Sequence, residues 1–169
     1  MKFSYSFSLP QPPAKPPKPP EDAALVEHAY NEFLLNLPAH WRQIPTQEDS
    51  FNYYSEVDKA SITISADFYV IPDAKAQACA ENCLDGRLQA LEKIDSTGVV
   101  VLNRTIKPYS GGGALEMHFE AELPGIQYLY LGYVSSRKIF NFTLVCEPGR
   151  EAAGALFDKI MSNIRVMMP

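Results

Sequence analysis

Four strand-like runs joined by short links, flanked by two amphipathic helices, constrain this chain more than any other feature. The runs are Val99 to Ile106, Ala114 to Leu123, Gln127 to Val134 and Ile139 to Cys146. Parallel neighbours would need a crossover of about a dozen residues or more, so these four must pair antiparallel. Pro124-Gly125 supplies a tight turn that sets Ala121 opposite Tyr128 and Phe119 opposite Tyr130, and residues directly opposite share a face. Leu115, Met117, Phe119 and Ala121 then lie beside Tyr128 and Tyr130. The other face carries Glu116, His118 and Glu120 beside Leu129, Leu131 and Tyr133. The Gln127 to Val134 strand is thus apolar on both faces, whereas its neighbour is charged on one. Either a second layer covers that mixed face or the face binds something.

The first half of the chain extends the pattern. A short helical or irregular stretch over 21–27 precedes a strand in which Phe33, Leu35 and Leu37 alternate with Leu34 and Asn36. Pro38 stops that strand, Trp41 follows the turn, and Pro45 ends the segment. Phe51 to Val57 is the next strand. In the third, Ile62, Ile64, Ala66, Phe68 and Val70 face away from Ser61, Thr63, Ser65, Asp67 and Tyr69, the period-two alternation of a half-buried strand. Pro72-Asp73 opens a long helix, with Asp73 as its expected cap. Its apolar stripe is Ala76, Ala80, Leu84, Leu88, Leu91 and Ile94. Gly86 costs up to about 1 kcal/mol there relative to Ala and is read as a point of close packing on the sheet. The last helix follows Pro148-Gly149 and runs to about Arg165, with Ala153, Phe157, Ile160 and Ile164 as its stripe.

The expected architecture is therefore α+β: one antiparallel sheet of about six or seven strands with two main helices packed on it. Trp41, Phe68, Leu84, Leu88, Phe119, Phe157 and Ile160 are the expected core. A chain of 169 residues with 46% hydrophobic content suits one domain. Seven of the 14 prolines (Pro10, Pro12, Pro13, Pro16, Pro17, Pro19 and Pro20) fall in the first twenty residues. Residues 1–20 are accordingly read as a tail and 21–169 as the domain. Within the tail, Phe3, Tyr5, Phe7 and Leu9 alternate with serines, so residues 1–9 are expected either as a docking strand on a sheet edge or as a disordered tail, and the proline run reads as an extended spacer.

A net charge of -5 with scattered cations argues against nucleic acid, which demands clustered Lys and Arg. No run is long and apolar enough to anchor in a membrane. The first residues lack the apolar run and cleavage site of a secretory signal, and the three cysteines, Cys79, Cys83 and Cys146, fit a reducing compartment. The expected location is the cytoplasm.

The element order, with an apolar strand running into Leu37-Pro38-Ala39-His40-Trp41, resembles the PsbP-like fold of DcrB-like bacterial proteins. Within it, Tyr30-Asn31-Glu32 through Trp41 is similar to the start of the effector-associated (Eag) chaperones of type VI secretion. The resemblance spans roughly residues 28 to 168. This chain departs from that group in its Pro-rich extension and in lacking an Arg after Ile62-Thr63-Ile64-Ser65. The resemblance implies dimers whose sheet surfaces shield apolar segments of a secreted effector.

Candidate chemistry is sparse. His28, His40 and His118 have no metal-pair spacing, and no cysteine has a partner in sequence. Ser110-Gly111-Gly112-Gly113 leads into a strand rather than a helix, so it reads as a hairpin loop and not a phosphate cradle. The expectation is a non-enzymatic protein-binding module, a chaperone or adaptor without metal or cofactor, with Leu129, Leu131, Tyr133 and Tyr69 nominated for partner contact. The alternative is a small-ligand or acid–base site on the Glu116/His118/Glu120 face.

Overall fold

Alternation between apolar and polar side chains builds most of the molecule, seen here in a computed structural model that describes residues 24–46, 49–96, 98–147 and 149–168. The main sheet has seven strands: β3 (Arg42–Ile44), β4 (Ser50–Ser55), β5 (Ala60–Phe68), β6 (Val100–Pro108), β7 (Leu115–Leu123), β8 (Ile126–Val134) and β9 (Lys138–Cys146). Their order across the sheet is β3-β4-β5-β9-β8-β7-β6, antiparallel throughout. The register across β7 and β8 places Ala121 opposite Tyr128 and Phe119 opposite Tyr130. Pro124-Gly125 makes the two-residue turn between them, and Gly125 takes φ +74°, a left-handed conformation that glycine adopts without a Cβ clash.

A second sheet joins β1 (Leu25–Ala29), β2 (Phe33–Pro38) and β10 (Ile164–Val166), with β2 in the middle. Three sequence expectations change here. The stretch over 21–27 expected to be helical or irregular is strand from Leu25, because β1 pairs with β2 as a hairpin. The strand Phe33 to Leu37 belongs to this small sheet and not to the main one. The last helix, α2 (Arg150–Met161), ends before Ile164, whose segment pairs with β2 instead of completing the helical stripe. The docking strand or disordered tail expected of residues 1–9 and the proline spacer lie outside the described residues.

The two layers flank the main sheet. On one face, Phe33, Leu35 and Leu37 of the small sheet, Trp41, and Ala153, Phe157 and Ile160 of α2 pack on Tyr53, Ile62, Ile64, Leu131, Phe140 and Phe142. On the other, α1 (Ala76–Ile94) buries Ala80, Leu84 and Leu91 against Met117, Phe119, Ala121 and Tyr130. A 3-10 turn (Asp73–Lys75) leads into α1, and the Asp73 side chain makes no capping bond.

Most of the expected core is buried, with two corrections. Phe68, the last residue of β5, is 67% exposed, and Val70, beyond the end of the strand, is 89% exposed. Leu88 is half-buried, and Ile94 at the end of the stripe is 74% exposed. Gly86 does not mark close packing: it is exposed, and a Cβ built there meets nothing within 4 Å.

Candidate functional site

The mixed face of β7 and β8 is core, covered by α2 and the small sheet. Leu129, Leu131 and Tyr133, three of the residues nominated for partner contact, are 6%, 5% and 9% exposed and belong to the cluster around Phe142 and Phe157. The helix stripe supplies the second layer that their apolarity demands, so they are not a free surface of this chain. Tyr69 lies elsewhere. Its hydroxyl donates to the Ser135 carbonyl at 2.8 Å, and burial, with Cys79 beside it, pushes the phenol pKa up.

The charged residues on that face pair with one another. Glu116 Oε1 lies 2.6 Å from His118 Nε2 and 3.0 Å from Lys107 Nζ, and Glu120 meets Arg150 at 3.4 Å. Burial works against the Glu116 carboxylate, but the His118 and Lys107 hydrogen bonds outweigh it and hold its pKa below the usual value. A carboxylate committed to two partners is a poor general base. No group of three or more His, Cys, Asp and Glu side chains is placed to hold a metal ion among the described residues.

A different constellation lies on the opposite face, where α1 packs on β6, β7 and β8 and stops short of β5 and β4. Here Ser61, Thr63, Ser65 and Asp67 of β5 stand beside Asn141, Thr143 and Val145 of β9, and all are half-buried or exposed. At the step between this open polar face and α1 is a cleft of about 490 Å³. It is lined by Asp67, Arg87, Leu91, Ile94, Tyr128, Ile139 and Asn141 among others.

Arg87 is the centre of that cleft. Its Nη1 donates to the Tyr128 hydroxyl at 3.1 Å and its Nη2 to Asn141 Oδ1 at 2.7 Å. Its Cζ sits 3.6 Å from the centroid of the Tyr130 ring, well inside cation–π range. Tyr130 in turn donates to Asn141 Oδ1 at 2.9 Å, while Asn141 Nδ2 donates to Ser65 Oγ at 3.1 Å. The Nε of Arg87 is buried and has no hydrogen-bond partner, and no carboxylate lies within 4 Å of the guanidinium among the described residues. Burial works against this charge, but the oxygens of Tyr130 and Tyr128 outweigh it and hold the guanidinium pKa above its ordinary value.

Gly132 makes the arrangement sterically feasible. A Cβ there would come within 2.0 Å of the Tyr130 hydroxyl oxygen, so the phenol extends along β8 only because position 132 has no side chain. Cys83, which also lines the cleft, is no nucleophile at neutral pH: burial, reinforced by Cys79, raises its thiol pKa to about 11.

The sequence reading did not single out this cleft. Arg87 occupies a stripe position of α1, three residues after Leu84 and four before Leu91, where an apolar side chain is expected. A charge on that stripe was the available signal.

The chain matches no protein-family model and no curated protein sequence. Among solved structures it is similar to the solution structure of cyanobacterial PsbP (CyanoP) from Synechocystis sp. PCC 6803. That likeness has a TM-score of 0.59 and 15% identity, and covers 86% of this chain and 94% of the other. Weaker likenesses join it to a crystal structure from Bacteroides thetaiotaomicron (TM-score 0.42, 13% identity, 80% of this chain and 45% of that one). A Pseudomonas aeruginosa protein of unknown function is similar at TM-score 0.40 and 16% identity, over 86% of this chain and 98% of that one. The first likeness shows the fold alone: this chain has the PsbP-like α+β fold that its element order suggested.

Proposed function

We propose that this chain is a non-enzymatic binding module that takes a protein partner on the open polar face of β4, β5 and β9, beside α1. The observation that carries the reading is unequal coverage. One face of the main sheet is covered by a sheet and a helix from β4 to β8, whereas the other has a single helix over β6, β7 and β8. The open half presents Ser, Thr and Asn side chains, which can meet the polar groups of another polypeptide.

The resemblance to effector-associated chaperones supports a secreted effector as the client and a cytoplasmic setting. It also fixes a limit. The open face is mostly polar, with Tyr54 and Val145 beside Ser61 as its exceptions, so the larger apolar part of a client fits the wall formed by Leu91, Ile94 and Ile139.

Thr63 and Thr143 are direct neighbours on this face, so Thr63→Arg with Thr143→Arg tests it without touching the core. The double variant should melt like the parent and lose the partner recovered with tagged parent protein from its native host. Thr105→Arg, on the opposite face, should keep it. A folded double variant that retains the partner would refute the reading.

A further inference from the structure

The Arg87 cleft joins a cation to an apolar wall, and neither has a counterpart among the described residues. The guanidinium has five donors, and Tyr128 and Asn141 take two of them. The oxygens that receive those bonds are neutral, so the positive charge is stacked on Tyr130 and hydrogen-bonded but not neutralised. In a partly dry site, a cation of this kind favours a planar anion that can accept two parallel N–H bonds. Asp67, which also lines the cleft, does not serve: its carboxylate faces Asn141 Nδ2 at 3.4 Å and lies beyond ion-pair distance from Arg87. On the other side stand Ala90, Leu91, Ile94 and Ile139, with Ile94 74% exposed.

We infer that this cleft binds a carboxylate carrying an aliphatic group beside it, the chemistry of a polypeptide chain end with an apolar last residue. The inference rests on the reading of the neighbouring sheet face as a protein contact and names what that partner presents there. The carboxylate takes the guanidinium donors that Tyr128 and Asn141 leave free, and the aliphatic group packs on Ile94 and Ile139. A side-chain carboxylate fits less well, because its own residue brings no apolar group to the wall.

N-acetyl-leucine is the minimal probe, and N-acetyl-leucinamide is its neutral counterpart. Titrated into the intact chain and followed by NMR, N-acetyl-leucine should give saturable shifts confined to Arg87, Tyr128, Asn141, Ile94 and Ile139. The amide should bind about tenfold more weakly or worse, the loss expected for a charge-assisted bond. Acetate, which has the charge without the wall contact, should also bind more weakly. Arg87→Met should abolish the difference between acid and amide, and Asp67→Asn should tighten the acid by removing a nearby like charge.

Equal binding of acid and amide by the parent protein overturns the inference, and that comparison needs no variant to fold. Acetate binding as tightly as N-acetyl-leucine overturns the aliphatic half of it. If neither acid nor amide binds while Thr63→Arg/Thr143→Arg still loses the partner, the inference fails and the sheet-face reading stands. If the acid binds at Arg87 while that double variant keeps its partner, the carboxylate site stands and the sheet-face reading fails.

Discussion

Replacing Lys138 with Met should destabilise the fold by about 2 to 3 kcal/mol, although the substitution keeps the aliphatic length of the side chain. Lys138 is 3% exposed at the start of β9. Its ammonium donates to the Glu32 carboxylate in the β1–β2 turn and to the Met167 carbonyl, the latter at 2.5 Å. Met167 N also donates to the Glu32 carbonyl at 2.9 Å. One buried cation therefore fastens one end of the small sheet, through the chain segments flanking both β2 and β10, to the main sheet. Removing one partner of a buried ion pair costs about 3 to 5 kcal/mol, because the other is left uncompensated. The Glu32 side chain is 28% exposed, so it regains part of its hydration, and the expected loss falls below that range. Urea titration read by Trp41 fluorescence measures it, since Trp41 lies in the same core cluster. In a double-mutant cycle, Glu32→Gln with Lys138→Met should recover about 1 kcal/mol or more relative to the sum of the single losses. A loss under about 0.5 kcal/mol, or additive single losses, would refute the clasp, because an uncoupled surface pair behaves that way.

Phe157→Ala should cost about 3 to 5 kcal/mol: Phe157 is buried edge-on to Phe142, with ring centroids 5.9 Å apart. A loss below about 1 kcal/mol in denaturant titration would place α2 off the sheet. Leu131→Asp with Tyr133→Asp should unfold the chain rather than abolish binding selectively, since both lie beneath the covering layer; native circular dichroism for that variant would contradict the burial. Burial lowers the His28 pKa from its ordinary 6.5, so the unfolded chain binds the proton more readily. His28 thus contributes stability that is present above about pH 6.5 and is lost as pH falls toward its folded pKa. His28→Phe, facing Tyr53 at a ring distance of 4.9 Å, should flatten stability over that window, and an unchanged pH profile would exclude the effect.

Pairing in the second half was legible because it depends on local quantities: link length and a period of two. The turn at Pro124-Gly125 settles the register, and β7, β8 and β9 follow. The small sheet was not legible, since β10 exists only because Ile164–Val166 finds β2 across the whole chain. Three residues carry no periodicity of their own. The mixed face was legible as an alternative, covered or binding, and α2 decides it in favour of coverage. Arg87 was hidden for another reason. Its partners Tyr128, Tyr130 and Asn141 lie 41, 43 and 54 residues downstream, and nothing local ties a helix arginine to them. Gly132 carries no local sign of its role, because the contact it permits, the Tyr130 phenol lying over it, arises only in three dimensions.

Simple dimensions explain why one side of the main sheet remains open. A helix with its side chains is about 10 Å wide, and neighbouring strands lie about 4.8 Å apart. One helix therefore covers two or three strands, however well its stripe is patterned, and α1 covers β6, β7 and β8. On the other face, α2 and the three-stranded small sheet together cover the strands from β8 to β4, where apolar residues reach as far as Tyr53. Where α1 ends, the strand residues turn polar: Ser61, Thr63 and Ser65 on β5, Asn141 and Thr143 on β9. That change in composition follows the edge of the helix. Arg87 sits on this boundary, with its stem in the apolar layer and its charge toward the open face, and Asn141 Oδ1 receives both its Nη2 and the Tyr130 hydroxyl. Asn141→Leu should therefore preserve the strand pairing yet free the guanidinium, a change visible as faster exchange of the Arg87 side-chain protons. Unchanged exchange would mean that stacking on Tyr130 and the bond to the Tyr128 hydroxyl hold the cation, and that the amide is not part of the site.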